Sequence, residues 1–370
     1  DDIFQMKIYY HVWPQRNLLI ISEYFRSKYI FFISMLVLSR VILRNQHLEN
    51  VSHLSTPLHI PASPFMKSLG YGTGVKVYRL ERSPKYGEMR SPWAVKRVSQ
   101  RARLNGQQLL NQRIHEEAEI LRKLSHPNIV GFRGVAIAKD GVDSLALECC
   151  TTSLGSILEE RNEENLGPLP AENALKVVAD ISRALDYLHT EAKILHGDLK
   201  SFNILIKGEF EICKLCDFGV SLPLDDNGLI NFAANPNLRY VGTNLWCPPE
   251  VIDEENIIDA KADIFSFGLI IYEMIALVPP HTLELADKVT TDSSSSKGNS
   301  SIISENSLLE SLEGAYGTRP PLPQPFVLNK EYNLIVELFY CCTNDLPEDR
   351  PTARSISESL MTVDKEQTKD

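Results

Sequence analysis

The hydrophobic pattern of this chain changes its period near residue 150, and this change limits the possible folds more than any other feature. Before it, short alternating runs such as GVKVYRL (74–80) and WAVKRV (93–98) are separated by Ser, Pro and Gly turns, which is typical of strands. One amphipathic segment (107–124) interrupts them. The pattern predicts an α+β protein with a small β-rich lobe at about 65–150 and a larger helical lobe at about 151–362.

Four segments of the second part favour helices. Residues 171–189 place apolar side chains at helical spacing, whereas ADIFSFGLIIYEMIAL (262–277) is apolar nearly all round, as expected of a buried helix. Residues 332–343 and 352–363 are expected to close the fold. The serine-rich, polar stretch 291–307 is expected to be an insert.

Charge and cysteine content limit the partners and the compartment. The formal net charge is −10 and no long Lys/Arg run occurs, so direct nucleic-acid binding is not expected, while a basic protein or peptide suits the charge. Seven cysteines form no disulfide framework, which indicates an intracellular, cytoplasmic or nuclear, protein. Cys213 and Cys216 form a lone C-x-x-C without the second pair that a zinc site needs, so buried thiols are expected.

The two ends of the sequence differ from the middle. Residues 1–50 are expected to be a leader of doubtful origin, because their apolar run 29–43 contains Arg40 and is shorter than the roughly twenty residues that span a bilayer. Membrane attachment is therefore not favoured. Residues 51–64 hold three prolines and suit a linker, in which Thr56-Pro57 and Ser63-Pro64 are either proline-directed phosphorylation sites or simple punctuation. Residues 363–370 are expected to form a tail.

Two stretches of the β-rich part carry chemistry. In LGYGTGVKV (69–77), glycines between two strands allow main-chain N–H groups to approach a phosphate, although such hairpins are also common for structural reasons. Lys96 lies on an apolar strand and needs a partner for its charge. Glu117 on the following helix is the candidate partner, while Glu116 and Glu119 compete as solvent-facing residues.

Two further stretches lie in the helical part. HGDLKSFNIL (196–205) brings an acid that can accept a hydroxyl proton, Asp198, close to Lys200, which can neutralise a phosphoryl group, and to Asn203, which can bind a metal without adding charge. In LCDFGV (215–220), Asp217 ends a short apolar strand, which suits a magnesium ligand.

Together and in this order, these motifs resemble the eukaryotic protein kinase family over about 65–362. Later positions agree: Pro248 replaces alanine in the A-P-E element, Asp263 matches the aspartate of the large buried helix, and Arg350 matches the arginine that pairs with Glu250. The resemblance implies the bilobal protein-kinase fold and Mg²⁺ and ATP as cofactors.

The resemblance also implies a role for each matching residue. Asp198 would be the proton acceptor, Lys200 would stabilise the γ-phosphoryl group, Lys96 oriented by Glu117 would hold the α- and β-phosphates, and Thr243 would bond Asp198 and Lys200. The metal ligands would be Asn203 and Asp217. The ATP-binding residues would be Leu69, Gly70, Tyr71, Gly72, Thr73, Gly74, Val75, Lys76, Val77, Lys96 and Glu148.

Within the family, Lys200 and Thr243 favour transfer to serine and threonine, with dual specificity left open. Stretches outside the general motifs, such as GTRPP (317–321) and CTNDLPEDRP (342–351), resemble a mitotic subgroup akin to the kinases that activate mitogen-activated protein kinases. That subgroup implies a phosphoprotein with stress-type mitogen-activated kinases and histone tails as substrates. The end EQTKD does not fit a PDZ ligand, so PDZ binding is not expected.

The chain departs from the family pattern at two places. The third glycine of the loop is Gly74, one position early, with Val75 where glycine is usual, which affects ATP affinity. Gly197 replaces the arginine that usually binds a phosphate on the activation loop, so ordering of 220–246 is expected to be independent of that bridge. The alternatives are a pseudokinase scaffold and a membrane-tethered receptor-like kinase. Cys216 is either a reactive thiol at the ATP site or a buried inert one.

Overall fold

The computed structural model describes residues 66–71, 75–85, 88–98, 107–137, 143–232, 235, 238–253, 257–283, 313–323 and 329–367. The expected leader 1–50, linker 51–64 and insert 291–307 lie outside these ranges, as do Gly72, Thr73 and Gly74 of the glycine loop.

The first lobe is an antiparallel sheet of five strands in the order β1-β2-β3-β5-β4. Its strands are β1 (Met66–Tyr71), β2 (Val75–Lys85), β3 (Glu88–Val98), β4 (Phe132–Ile137) and β5 (Asp143–Glu148). Helix α1 (Gln107–Lys123) packs against β3, β4 and β5. Its buried stripe holds Ile114, Ala118 and Leu121 at helical spacing, and Glu117 lies within that stripe.

The second lobe is mainly helical. Its helices are α2 (Leu154–Glu163), α3 (Ala171–Tyr187), α4 (Pro249–Ile252), α5 (Lys261–Ala276), α6 (Asn333–Cys342) and α7 (Ala353–Gln367). Every residue of α5 from Ala262 to Ile275 is buried, which confirms the prediction of a core helix. Helix α3 packs against α7, and α5 packs against α6.

Short strands position the loops between the lobes. These strands are β6 (Thr152–Ser153), β7 (Ile194–Leu195), β8 (Ile204–Lys207), β9 (Ile212–Leu215) and β10 (Leu222–Pro223). Strands β8 and β9 form a hairpin in which Ile204 pairs with Leu215. This register brings the residues on either side of the hairpin, Asn203 and Asp217, to the same end.

The observed elements confirm the bilobal α+β protein-kinase fold. Helix α2 was not predicted, although its signal is visible: Ser153 caps it by accepting a hydrogen bond from the Ser156 main-chain N–H, and Leu154 and Leu158 are buried. Within the described ranges, none of the helices combines the length and the apolar character that crossing a membrane requires.

Candidate active site

Lys96 joins the two lobes through two carboxylates. Its Nζ lies 2.7 Å from Glu117 Oε2 on α1 and 2.8 Å from Asp217 Oδ1, which follows β9. The pairing with Glu117 is the one that the sequence suggested, and Glu116 and Glu119 do not take part in it. The contact with Asp217 was not predicted, because nothing local in the sequence relates residues 121 positions apart.

The strand register explains why Lys96 faces this site. Lys96 pairs with Val77 on β2 and with Leu145 on β5, so it lies at the centre of the sheet, on the side where Ala94 and Val98 join the core. Burial by itself would lower the pKa of Lys96, but the charges of Asp217 and Glu117 raise it. The ammonium group therefore stays protonated.

The two carboxyl groups that contact Lys96 have pKa values shifted in opposite directions. Burial raises the pKa of Glu117 above its usual value, and this effect exceeds the opposing attraction of Lys96. For Asp217, burial also raises the pKa, but the charge and hydrogen bond of Lys96 outweigh it and lower the value to about 2. Asp217 is therefore the permanently ionised member, and its side chain is 44% exposed.

Asp198 is held by three neighbours. Its Oδ1 accepts hydrogen bonds from the hydroxyl and the main-chain N–H of Thr243, at 2.6 and 3.1 Å. Its Oδ2 accepts from Lys200 Nζ at 2.7 Å and from Asn203 Nδ2 at 3.1 Å. Lys200 also donates to the Thr243 hydroxyl at 3.0 Å. The sequence-predicted catalytic residues Asp198, Lys200 and Thr243 thus meet in one cluster.

The charges of this cluster stabilise one another. Burial acts to raise the pKa of Asp198, but Lys200 and the Thr243 hydroxyl lower it below its usual value. Burial likewise acts to lower the pKa of Lys200, and the carboxylate of Asp198 raises it. The site therefore holds an ionised acceptor beside a protonated lysine at neutral pH.

The main-chain conformation directly before Asp198 explains why residue 197 is a glycine. Its φ is +76°, a conformation that L side chains rarely adopt. In this conformation the N–H groups of His196 and Gly197 both donate to the buried carboxylate of Asp263 on α5, at 2.8 and 2.9 Å. Asp263 also bonds His189 Nε2 at 2.8 Å. The loop is therefore anchored to the core helix directly before Asp198.

His196 links the two motifs of the helical part, a role that the sequence reasoning did not assign. Its Nε2 bonds the carbonyl oxygen of Cys216 at 3.0 Å, and its ring meets the edge of the fully buried Phe218 at 5.0 Å. Asp217, between these residues, has a φ of +66°. Such strain in a residue other than glycine is common where function requires one side-chain direction.

Asn203 and Asp217 fit a magnesium ion chemically. The amide nitrogen of Asn203 donates to the main-chain oxygen of Asp198 at 2.7 Å and to its carboxylate, which directs the amide oxygen away from these partners. Asp217 uses Oδ1 for Lys96 and is partly exposed. Carboxylate and amide oxygens are the hard ligands that Mg²⁺ takes, together with substrate phosphates and water.

Apart from Lys96 on β3, the sequence-predicted nucleotide-binding residues that the structure describes occupy β1, β2 and the end of β5. Leu69, Gly70 and Tyr71 lie on β1, and Val75, Lys76 and Val77 lie on β2. Gly70 pairs with Val77, with a register shift just before it. The side chain of Glu148 is engaged by Lys207 Nζ at 2.8 Å and Lys214 Nζ at 3.2 Å.

The thiol of Cys216 is not activated by its surroundings. Burial is the main reason that its pKa lies well above the usual value, and the neighbouring carboxylate of Asp217 adds to the effect. The neutral thiol is therefore the dominant form, which supports the inert alternative. Among the described residues, Cys213 and Cys216 belong to no metal-ligand cluster of three or more His, Cys, Asp or Glu.

The described residues of the segment 220–246 are held by apolar packing and by main-chain bonds. Its only hydroxyl side chains are Ser221, Tyr240 and Thr243. Ser221 donates to the His196 carbonyl oxygen at 3.1 Å, and Tyr240 is hydrogen-bonded to Ser266. Strand β10 pairs with β7. Side chains from both strands belong to one buried apolar cluster, which consists of Leu195, Leu222, Leu224, Ile230, Ile258 and Ala262.

Comparison with known proteins agrees with this geometry. A family model of the protein kinase domain matches residues 64–361. The human lymphokine-activated killer T-cell-originated protein kinase is 44% identical over 310 residues, which cover 83% of this chain and 92% of the human protein. It is the kinase that the stretches outside the general motifs resemble.

Two more distant relatives are kinases of other organisms. The dual specificity mitogen-activated protein kinase kinase mek-2 of Caenorhabditis elegans is 28% identical over 268 residues, 68% of this chain and 64% of that protein. The probable serine/threonine-protein kinase kinX of Dictyostelium discoideum is 27% identical over 299 residues, 81% of this chain and 23% of that protein. On the family match, the fold and the extent of the similarity, the chain belongs to the protein kinase family.

Proposed function

We propose that this kinase transfers the γ-phosphoryl group of Mg·ATP to serine or threonine hydroxyls of protein substrates. The observation that carries the proposal is the cluster of Asp198, Lys200 and Thr243, in which an ionised carboxylate and a protonated lysine lie 2.7 Å apart. A hydroxyl that enters beside Asp198 would find its proton acceptor already oriented by Thr243 and Asn203.

The remaining residues position the nucleotide. Lys96, fixed by Glu117, would hold the α- and β-phosphates, and Lys200 would stabilise the charge that develops on the transferred group. Asn203 and Asp217 would hold Mg²⁺, which neutralises phosphate charge when it is bound. Since phosphoryl transfer depends mainly on positioning and electrostatics, the intact set favours an active kinase over a scaffold.

The similarities support a proposal for the substrate class. The relative mek-2 is named as a kinase of mitogen-activated protein kinases, which supports mitogen-activated kinases as substrates. The stress-type members are proposed among them from the resemblance, and histone tails suit the net charge of −10. Transfer to serine and threonine is favoured, and dual specificity, which the name of mek-2 carries, is left open as the alternative. A cytoplasmic or nuclear location fits the seven free cysteines. The mitotic role is proposed from the resemblance to the mitotic subgroup.

The activation segment is proposed to be ordered without a phosphate. Gly197 offers no charge to a phosphate, and the apolar cluster around Leu222 and Ile230 supplies an alternative source of order. Phosphatase-treated protein should therefore retain its transfer rate within about twofold. A rate that falls tenfold or more, with a phosphate mapped to 220–246, would contradict this.

The test of the function compares labelled phosphate transfer from Mg·ATP to histone and to a kinase-dead mitogen-activated kinase by wild type and by Asp198→Asn. Removing the proton acceptor should lower the rate by about 10²- to 10⁴-fold. The unfolding midpoint in urea should stay close to that of wild type.

The matched control for this test is Asp186→Asn on α3. It also removes one acidic charge, from a partly exposed side chain that pairs with Arg354, and it should leave the transfer rate unchanged. Equal, negligible transfer by wild type and both variants, with ATP still bound, would favour the scaffold.

A further inference from the structure

A cavity of about 430 Å³ lies on the opposite face of the five-stranded sheet from Lys96. Trp93 lines it and stands three positions before Lys96 on β3, and side chains an odd number of positions apart face opposite sides of a sheet. Its volume is in the range of small-ligand sites. The described residues that matter for its chemistry are Arg82, Trp93, Arg133, Glu148, Cys149 and Lys207.

The cavity carries more positive than negative charge. Its single carboxylate, Glu148, is already shared between Lys207 Nζ at 2.8 Å and Lys214 Nζ at 3.2 Å. Within the part of the chain that the structure describes, neither Arg82 nor Arg133 forms an ion pair. Among the described residues, Arg82 and Arg133 each donate to a main-chain oxygen, at 3.4 and 3.3 Å, in exposed positions that leave their other N–H donors open to a ligand or to water.

The two walls of the cavity are arranged before any ligand binds. On one wall, the Arg82 guanidinium lies over the Trp93 ring, 4.4 Å from its centroid, and Arg90 pairs directly opposite Arg82. On the other wall, the hydrogen bond to Glu148 raises the pKa of Lys207, while the nearby charge of Arg133 opposes this rise. Like charges so close together are stabilised by an anion between them.

The anion must reach both walls. Guanidinium groups bind phosphate through paired hydrogen bonds, and a phosphoryl dianion offers three acceptor oxygens to two arginines and a lysine. We propose that the cavity binds a phosphorylated side chain, and that its occupant is Ser63 of the same chain after phosphorylation.

Ser63 is within reach because of the strand order. Met66 pairs with Leu80, and Leu80 pairs with Trp93, so the start of β1 lies two strand spacings, or about 10 Å, from the cavity wall. Ser63 precedes Met66 by three residues, which span at most about 10 Å. Pro64 makes Ser63 a target for a proline-directed kinase.

The modification and its effect are simple in chemical terms. Ser63 Oγ bonds to the γ-phosphorus of ATP, ADP leaves with the electrons of the broken bond, and the hydroxyl proton passes to the kinase's base and then to solvent. The dianion would bridge Arg82 on β2 to Lys207 on β8. It would thereby tie the two lobes together beside Cys149, where the chain passes from one lobe to the other.

The first experiment follows removal of the phosphate from Ser63 by a phosphatase. It uses the full chain with Asp198→Asn, phosphorylated by a proline-directed kinase, so that the chain does not phosphorylate itself. Docking should slow removal at least tenfold relative to a free phosphopeptide of residues 57–68. Arg82→Gln with Arg133→Gln should restore the peptide's rate, whereas the matched pair Lys123→Gln with Lys330→Gln should not. Equal rates in all chains and in the peptide would overturn the proposal.

The second experiment identifies the source of the phosphate. The 57–68 peptide with phosphoserine at 63, its unphosphorylated form, a scrambled phosphopeptide and inorganic phosphate are each titrated calorimetrically into the Ser63→Ala chain. The proposal expects the phosphorylated 57–68 peptide to bind at least tenfold more tightly than the other three. Equal binding of the scrambled phosphopeptide would overturn the assignment to Ser63, and equal binding of inorganic phosphate would overturn recognition of a peptide.

Discussion

Two buried sets of paired charges, one between the lobes and one in the helical lobe, are built on different principles. Arg350 is fully buried and forms two parallel hydrogen bonds with Glu250, at 2.7 and 2.8 Å. Its guanidinium N–H groups also donate to three main-chain carbonyl oxygens. Lys96 instead contacts two carboxylates, Glu117 and Asp217, of which Asp217 is 44% exposed.

The difference teaches how to distinguish structural from functional charge in this molecule. The donors of Arg350 are met by fixed acceptors, so the pair has one arrangement and serves stability. The bonds of Lys96 reach two elements that belong to different lobes, and one of its partners is open to solvent. When a phosphate enters, Lys96 can exchange Asp217 for a phosphate oxygen, because the released carboxylate is 44% exposed and can be hydrated.

The largest effect on stability should come from separating Arg350 from its partner. Arg350→Leu leaves the Glu250 carboxylate buried without its partner and should cost about 3 to 5 kcal/mol of the free energy of unfolding. The double change Glu250→Leu with Arg350→Leu should cost less than the single one, because no buried charge remains. Urea unfolding of the three proteins measures this. A double variant as unstable as the sum of both single ones would show that the pair is not the structural unit.

Removing Lys96 should act on activity rather than on stability. Lys96→Met should lower kcat/KM by about 10²- to 10³-fold, since one charged phosphate contact is lost. Its unfolding free energy should change by only about 1 kcal/mol, because the pKa of Glu117 is already raised by burial and the group can take up a proton.

The control for Lys96 is Lys176→Met, which removes another lysine that pairs with an aspartate, Asp180 on α3. It should leave kcat/KM unchanged within about twofold. If Lys96→Met lost as much stability as Arg350→Leu, the distinction between the two sets of charges would fail.

Glu273 is a third buried charge, and it should make the free energy of unfolding depend on pH. It is buried and accepts hydrogen bonds from Ser201 and Trp246, and burial raises its pKa from 4.5 to about 7. Because the folded value lies above the unfolded one, its stabilising contribution is complete below about pH 4.5 and is lost as the pH rises through 7. Relative to Glu273→Gln, wild type should lose about 3 kcal/mol between pH 4.5 and 8. Parallel urea-unfolding profiles of the two proteins would contradict this.

The smallest predicted effect concerns Gly197. Gly197→Ala must hold an alanine at a φ of +76° and should cost about 1 kcal/mol in urea unfolding. Gly228→Ala is the matched control, because its φ is +81° with no atom within 4 Å of an added Cβ, whereas at Gly197 the Val220 carbonyl oxygen lies 3.4 Å away. If both substitutions lower the free energy of unfolding equally, the positive φ explains the whole loss and the contact with Val220 adds nothing. If neither lowers it, the predicted main-chain strain is absent.

The sequence predicted those elements whose signals are local. The core helix α5 is apolar on all sides, and the alternating runs of β2 and β3 have the period of strands, so both were expected from the pattern. Helix α2 escaped prediction because it is short and only one side of it is buried, around Leu154 and Leu158. In the site, the spacing from Asp198 to Asn203 brought these residues together in one loop, whereas the bridge from Lys96 to Asp217 joins residues that no local pattern relates.

The sequence by itself determined which chemical groups this protein has and in which order, and that order was enough to recognise a kinase. The tertiary structure alone decided that Lys96 also meets Asp217, how Asp217 is kept ionised, and where Arg82, Arg133 and Lys207 gather behind the sheet. The physical reason is that a motif is defined by the order and separation of residues along the chain. The charge and pKa of each group depend instead on burial and on neighbours that folding brings from distant parts of the chain.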